Sequence, residues 1–296
     1  MASGAMGSWM AKLGSTARGA EVVSYIAGYM TQASAGKVLI RDREDRLRFY
    51  VENVSRWCQR ALAAMRFEIE CVGLENLDLK NKNYLFVSNH MSYLDVMIFS
   101  SKLPSVFVTS VDMGEVFFLG TLAEMGGSIF VERRSRQRVD QDLSVMSETL
   151  RSGFNIVIYP EGTSTDGQKL LPFKKSLLMS AVDAGRDVVP VALKYMEIDG
   201  EPFTKANADK VCWYGDMTFA DHFLGLLTFK KVKVRLEFLE PISSQPVNAK
   251  DRIRTELAEK SWHAIQNAYF ADRPAPFGER REQMSLQTEA APSATP

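Results

Sequence analysis

The chain has 296 residues, and its 36 Lys plus Arg balance 36 Asp plus Glu, so the formal net charge is zero. That balance argues against a nucleic-acid protein, whose phosphate contacts need a net basic face. The apolar fraction of 46% and charged fraction of 24% are those of a globular core rather than a disordered chain. Cys58, Cys71 and Cys212 are too widely spaced for a CxxC metal site or a disulfide framework, which suits a reducing compartment.

In chain order, residues 1–8 (MASGAMGS) read as a vector-derived leader and are set apart from the fold. No run reaches the roughly 18 apolar residues of a spanning helix. A charged lead followed by an apolar stretch, the mark of a cleavable signal, is also missing. Residues 9–68 are expected to form a helical, membrane-associating element. Trp9, Met10, Leu13, Val22, Val23, Tyr25, Ile26, Tyr29 and Met30 recur among small residues. Leu47, Phe49, Tyr50, Val54, Trp57, Leu62 and Met65 then alternate with Arg41, Arg43, Arg46, Arg48, Arg56, Arg60 and Arg66. Trp beside Arg at helical spacing suits a lipid–water boundary. The same pattern equally serves helices packed on a globular domain.

From residue 84 the pattern becomes that of an α/β domain, expected over 69–271. Short runs at 84–89, 105–110, 127–132, 155–160 and 187–195 have strand length and composition. Helical patterns fill about 93–102, 114–125, 137–152 and 174–184, and this alternation predicts a mostly parallel mixed sheet flanked by helices. Residues 232–242, VKVRLEFLEPI, alternate cleanly and predict an edge or antiparallel strand with one wet face. A last helix is expected over 250–270, and residues 272–296, rich in Pro, Ala, Ser, Thr and Glu, read as a disordered tail.

Three histidines narrow the search for a base active near neutral pH. His90 directly follows the apolar run YLFVSN and precedes a helix beginning near Ser92, the strand-end setting where open α/β sheets bind ligands. Asp95 lies five residues on. On one continuous helix that offset is about 140° around the axis, so the two would diverge. With His90 still in the turn, the carboxylate can reach back to fix the imidazole tautomer and leave the other nitrogen to take a proton. Ser92-x-x-Asp95 also reads as a capping box, which is compatible with that role. His222, in FADHFLG, and His263, inside the last helix, lack this setting.

GxSxG, GxxxxGK[ST] and HExxH patterns and closely spaced Cys/His sets are missing, so serine hydrolases, NTPases and zinc enzymes lack their minimal parts and no metal is expected. A His–Asp pair with no nucleophile of its own suits activation of a substrate hydroxyl. NIVIYPEGTSTDG (155–167) is a strand entering a glycine- and hydroxyl-rich turn whose amides can face an anion or carbonyl oxygen. Glu161, next to that apolar run, must be paired or touch a substrate. Its alternative is a turn held by side-chain caps. FVERRSRQR (130–138) offers Arg133 and Arg134 at another strand end, and Lys174 and Lys175 follow the glycine turn.

Together these blocks resemble the glycerolipid acyltransferase family, whose best-known members are the 1-acyl-glycerol-3-phosphate acyltransferases. SNHMSYLD, with His90 and Asp95, looks like the first motif of that family and GSIFVER (127–133) like its second. YPEGT (159–163) looks like the third and VPV (189–191) like the fourth, over about residues 70–245. The resemblance implies transfer of an acyl group from acyl-CoA or acyl-carrier protein to the free hydroxyl of a lysolipid, with no further cofactor. By that likeness His90 is the base and Asp95 its orienting partner, while Arg133, Glu161, Gly162, Thr163, Ser164 and Lys174 bind substrate. It also implies a monotopic enzyme at the cytoplasmic face of the cell membrane. Ser164 stands where the third motif commonly has Arg, Glu132 where the second has Asp, and Ser110 near a common Lys. The leading acceptor is 1-acyl-glycerol-3-phosphate, giving phosphatidic acid; an aminolipid or another lysophospholipid is the alternative. A thioesterase or lipase, or a non-catalytic lipid-binding protein, ranks below both.

Overall fold

The computed structural model describes residues 2–116, 118–132, 136–245 and 250–271, without the side chains of 2–15, 136–137 and 250–251. The expected tail and the arginines at 133 and 134 lie outside the described residues.

Two long helices open the chain, α1 (Ala2–Leu39) and α2 (Arg43–Ala64). Helix α1 starts within the segment set apart as a leader, which is therefore continuous with it. Asp42 caps α2, its side chain accepting from the Asp45 amide at 2.9 Å. Small residues bring the pair close: a Cβ at Gly28 would meet the Trp57 ring, and one at Gly36 the Phe49 ring. Trp57 Nε1 donates to Gln32 and Asn53, each at 3.0 Å. This hairpin rests on the rest of the chain. Val22, Tyr29 and Ala33 are buried, Tyr29 donates to the Leu122 carbonyl, and Arg18 donates to the carbonyls of Leu227 and Phe229. Packing on the main domain thus accounts for one face of the apolar pattern. Val23, Val38 and Leu39 stay exposed. Among the described residues no helix is long and apolar enough to cross a membrane.

The remaining elements are β1 (Phe67–Val72), β2 (Leu85–Ser88), α3 (Tyr93–Lys102), β3 (Val106–Ser110), α4 (Val111–Gly114), α5 (Leu119–Met125), β4 (Ile129–Val131), α6 (Arg136–Arg151), β5 (Ile156–Ile158), α7 (Met179–Ala184), β6 (Val188–Ile198), β7 (Glu201–Pro202), α8 (Phe219–Leu226), β8 (Val232–Phe238) and α9 (Lys250–Ala271). They build one mixed sheet in the order β1-β8-β6-β2-β5-β3-β4, with β7 beside β6. All pairs are parallel except β6 with β7 and β6 with β8. Strands β2 and β5 are buried at every position because helices cover both faces, which is why they read as unbroken apolar runs.

Three elements refine or differ from the sequence reading. Strand β8 meets the antiparallel alternative of its reading, paired antiparallel to β6 with an alternating, half-wet pattern; what the sequence left open is its place, second in the sheet with β1 at the edge. Strand β1 straddles the boundary placed at 68/69, so its first two residues fall in the segment read as helical, and its alternation with Glu68 and Glu70 gave no clear strand signal. The helix expected over 114–125 is two pieces: Phe118 has φ 73°, and Gly120 sits so tightly over the Gly114 carbonyl that a Cβ there would collide with it.

Candidate active site

Sheet register builds the site. Val87 of β2 pairs with Ile158 of β5, so positions 90 and 161, each three residues beyond, emerge side by side at the carboxyl ends of two adjacent strands. Asn89 lengthens the β2–β6 pairing with its side chain, donating to the Leu193 carbonyl and accepting from its amide at 3.0 and 2.9 Å. The chain is thus straight until His90 and then turns into α3.

Asp95 at the third position of α3 is fully buried, and Oδ2 lies 2.9 Å from His90 Nδ1. The same oxygen accepts from the backbone amides of Met91 (2.6 Å) and Ser92 (2.8 Å), closing the expected capping box. Dyad and cap therefore share one carboxylate. His90 is about one-fifth exposed at 21%, and its ring stacks on Tyr159 with centroids 4.3 Å apart and planes at 18°. With Nδ1 committed to Asp95, Nε2 is left to accept a proton. Among the described residues no Ser or Cys hydroxyl or thiol hydrogen-bonds the ring.

The turn after β5 is built around Pro160 at its second position, with the Gly162 amide donating to the Tyr159 carbonyl at 3.1 Å and Gly162 at φ 76°. A side chain at 162 would run into the Lys174 ammonium, which lies over the glycine. Lys174 is exposed, and its backbone amide donates to the Pro160 carbonyl 2.9 Å away. Thr163 is exposed, with its hydroxyl 3.5 Å from the Ser164 carbonyl, and Ser164 is half-buried. Gly162, Lys174, Tyr159, Glu132, Asp142 and Ser176 line a cleft of about 200 Å³. Asp142 accepts from the Glu132 amide at 2.9 Å, holding the end of β4 against α6. A larger hollow of about 390 Å³ lies on the wet face of β1 and β8, where Arg235 pairs with Glu70 and Lys233 with Glu197. It contains none of the candidate residues.

Glu161 does not face the cleft. Its two carboxylate oxygens accept from the His90 amide (2.8 Å) and the Leu171 amide (2.9 Å), and the residue is 4% exposed. It straps the turn after β5 to the turn after β2, and Thr165 completes the strap by donating to the His90 carbonyl at 3.0 Å. Burial pushes the Glu161 carboxyl up to about 7 against those two bonds. Of the candidate residues, His90, Asp95 and Glu161 converge directly, and Gly162 and Lys174 form the adjoining cleft.

Two residues at the site were given no role by the sequence, although Tyr159 opens the third motif. Tyr159 is the floor beneath His90, and Tyr195, on β6, donates to Asp95 Oδ1 at 3.0 Å. The other two histidines stay away from the dyad. His222 is buried against Tyr93 Oη at 3.0 Å, with burial pushing its imidazole down to about 4, and His263 is exposed beside Trp262.

Comparison with known proteins decides the family. The Acyltransferase family profile matches residues 68–194. A lyso-ornithine lipid O-acyltransferase of Pseudomonas aeruginosa is 33% identical over 227 residues, covering 76% of this chain and 81% of the relative. The chain belongs to the glycerolipid acyltransferase family. It is an O-acyltransferase. A 1-acyl-sn-glycerol-3-phosphate acyltransferase of Neisseria meningitidis is 31% identical over 155 residues, 52% of this chain and 58% of that one. The crystal structure of PlsC, the 1-acyl-sn-glycerophosphate acyltransferase of Thermotoga maritima, has the same fold. Its TM-score is 0.61 at 20% identity, covering 90% of this chain and 99% of that one.

Proposed function

We propose that this acyltransferase moves a fatty acyl group from an acyl thioester, acyl-CoA or acyl-carrier protein, to the hydroxyl of a lysolipid, with His90 as the base. The observation that carries the reading is the 2.9 Å Nδ1–Oδ2 pair at the strand ends, on a ring that no Ser or Cys among the described residues hydrogen-bonds. His90 Nε2 takes the acceptor hydroxyl proton as that oxygen attacks the thioester carbonyl carbon. The tetrahedral adduct collapses with cleavage of the C–S bond, and the imidazolium returns the proton to the departing thiolate. Asp95 holds the ring and offsets its transient charge. Thr163, Ser164 and Lys174 belong to the wall that receives the acceptor head group; Arg133, given the same role by its motif, lies outside the described residues. No metal or other cofactor takes part.

The preferred acceptor is a lyso-aminolipid of the lyso-ornithine type. Support comes from the relative sharing the greatest aligned length among those described and from Ser110 and Ser164, which put hydroxyls where a phosphate monoester would need cations. The second reading, 1-acyl-glycerol-3-phosphate, is favoured by the Lys174 ammonium over Gly162. The exposed Val38 and Leu39 between Lys37 and Arg41 at the α1–α2 tip support attachment to the cytoplasmic membrane surface.

The test combines purified protein, one labelled acyl thioester and a panel of lysolipids, with products read by mass. Acylated lyso-ornithine lipid is expected, and His90→Ala should cut turnover by at least about 10²-fold with the melting temperature retained. Free fatty acid formed without any acceptor, or near-normal turnover by His90→Ala, overturns the reading.

A further inference from the structure

Asp95 is a buried carboxylate with an uneven set of partners. Oδ2 receives three donors: His90 Nδ1, the Met91 amide and the Ser92 amide. Oδ1 receives one, the hydroxyl of Tyr195, from a strand 100 residues away in sequence. Among the described residues no Lys or Arg pairs with Asp95. A fully desolvated carboxylate stays ionised only if hydrogen bonds replace its water, and bonds to an ionised acceptor are the strong ones. Three donors on one oxygen leave the other to decide the tilt of the carboxylate plane, because the terminal torsion of Asp is broad.

We infer that Tyr195 is a positioning residue for the acyl transfer, setting the orientation and charge of Asp95 and, through it, the proton affinity of His90. This rests on the reading of His90 as the base. Tyr195 is suited to the task. It is 1% exposed, its ring packs on Phe203 with centroids 5.9 Å apart, and it sits on the sheet itself rather than on a loop. Burial and the facing Asp95 hold its phenol well above the ordinary range, so it remains a donor at every working pH. The other titratable groups facing this pocket are the Cys212 thiol, the Tyr93 and Tyr159 phenols, both held above the ordinary range by burial, and Glu161 beyond His90. With His90 and Asp95 they complete the set that governs titration here.

The sign follows. A donor on Oδ1 draws charge away from Oδ2. Removing it leaves more negative potential at His90 Nδ1–H, favours the imidazolium and raises the pH at which His90 loses its proton.

The test is Tyr195→Phe in the full chain, read by histidine NMR titration and by steady-state kinetics. Only three histidines are present, and a His90→Gln variant assigns the resonance. The His90 midpoint should rise by about one pH unit with those of His222 and His263 unmoved, and kcat should fall about tenfold with KM for both substrates unchanged. The acidic limb of the pH–rate profile, which reports deprotonation of the base, should move with the NMR midpoint. A purely structural tyrosine would lower the melting temperature and leave the His90 titration in place. An unmoved or lowered His90 midpoint overturns the inference. Should Tyr195→Phe not fold, 3-fluorotyrosine at position 195 retains the packing with a stronger donor and should lower the midpoint, and no change there overturns it equally. Turnover by His90→Ala would instead remove the reading of His90 as base, a separate result.

Discussion

The two walls of the site are built to different standards. On the β2–α3 side the dyad is held at all points but His90 Nε2: Asp95 is fully buried with four donors, one of them His90 Nδ1, and the His90 backbone is clamped by Glu161 and Thr165. On the cleft side Thr163 and Lys174 are exposed, and the Lys174 side chain is held by no hydrogen bond among the described residues. Chemistry needs reacting groups fixed to within about half an ångström, which buried strand ends and a helix start provide. Recognition of a head group tolerates variation, which loops provide. The relatives fit this division, since proteins named for phosphate and for ornithine acceptors both align with a chain carrying this dyad.

The comparison breaks most visibly at Asp95. Asp95→Asn puts an amide where Oδ2 meets three donors, so it should lower kcat by about 10³- to 10⁴-fold through loss of the tautomer lock. It should also lower the melting temperature through the buried donors left unpaired, which the same preparation reports calorimetrically.

Glu161 sharpens the contrast through pH. Burial holds its folded pKa at about 7, above the 4.5 of a free carboxyl, so the protonated form is favoured on folding. Its contribution to stability is present below about pH 4.5 and is lost as pH rises to about 7. Glu161→Gln removes that titration. Wild type should lose about 3 kcal/mol relative to the variant between those limits, measured by denaturant melts at pH 4.5 and 8. A difference constant with pH would show that the carboxylate titrates normally.

On the cleft side the effects should be smaller and should appear in binding. Lys174→Ala should raise KM for a phosphate-bearing acceptor by about tenfold and leave kcat and KM for the acyl thioester nearly unchanged, because a single exposed cation acts on one head group. A matching loss in kcat would place Lys174 in the transition state instead.

The smallest effect concerns the floor beneath His90. Among the described residues Tyr159 Oη is buried with no hydrogen-bond partner. Tyr159→Phe should therefore stabilise the protein by up to about 1 kcal/mol in a thermal melt, since it removes an unsatisfied group and keeps the stacked ring.

Much of this was legible from local pattern. The His90–Asp95 pair, the strand–turn–helix around it and the glycine turn at 162 are set by residues adjacent in sequence, where spacing and capping chemistry suffice. Helix α8 was not recognised because FADHFLG is short and rich in aromatics, and its helical face appears only where Leu226 and His222 pack inward. The role of Glu161 was also hidden. A carboxylate beside an apolar strand signals that a partner exists, but its partners are the amides of His90, 71 residues earlier, and of Leu171, ten residues later.

By itself, then, the sequence determined the alternating α/β order, the dyad and the family, because each rests on short-range periodicity or on motifs whose members are near neighbours. Only the tertiary structure decided that β8 runs inside the sheet, that Glu161 supports His90 rather than facing the cleft, and that Tyr195 completes the shell around Asp95. Those contacts join strands whose pairing is set by sheet register, and register is a property of the folded chain that no local window of residues contains.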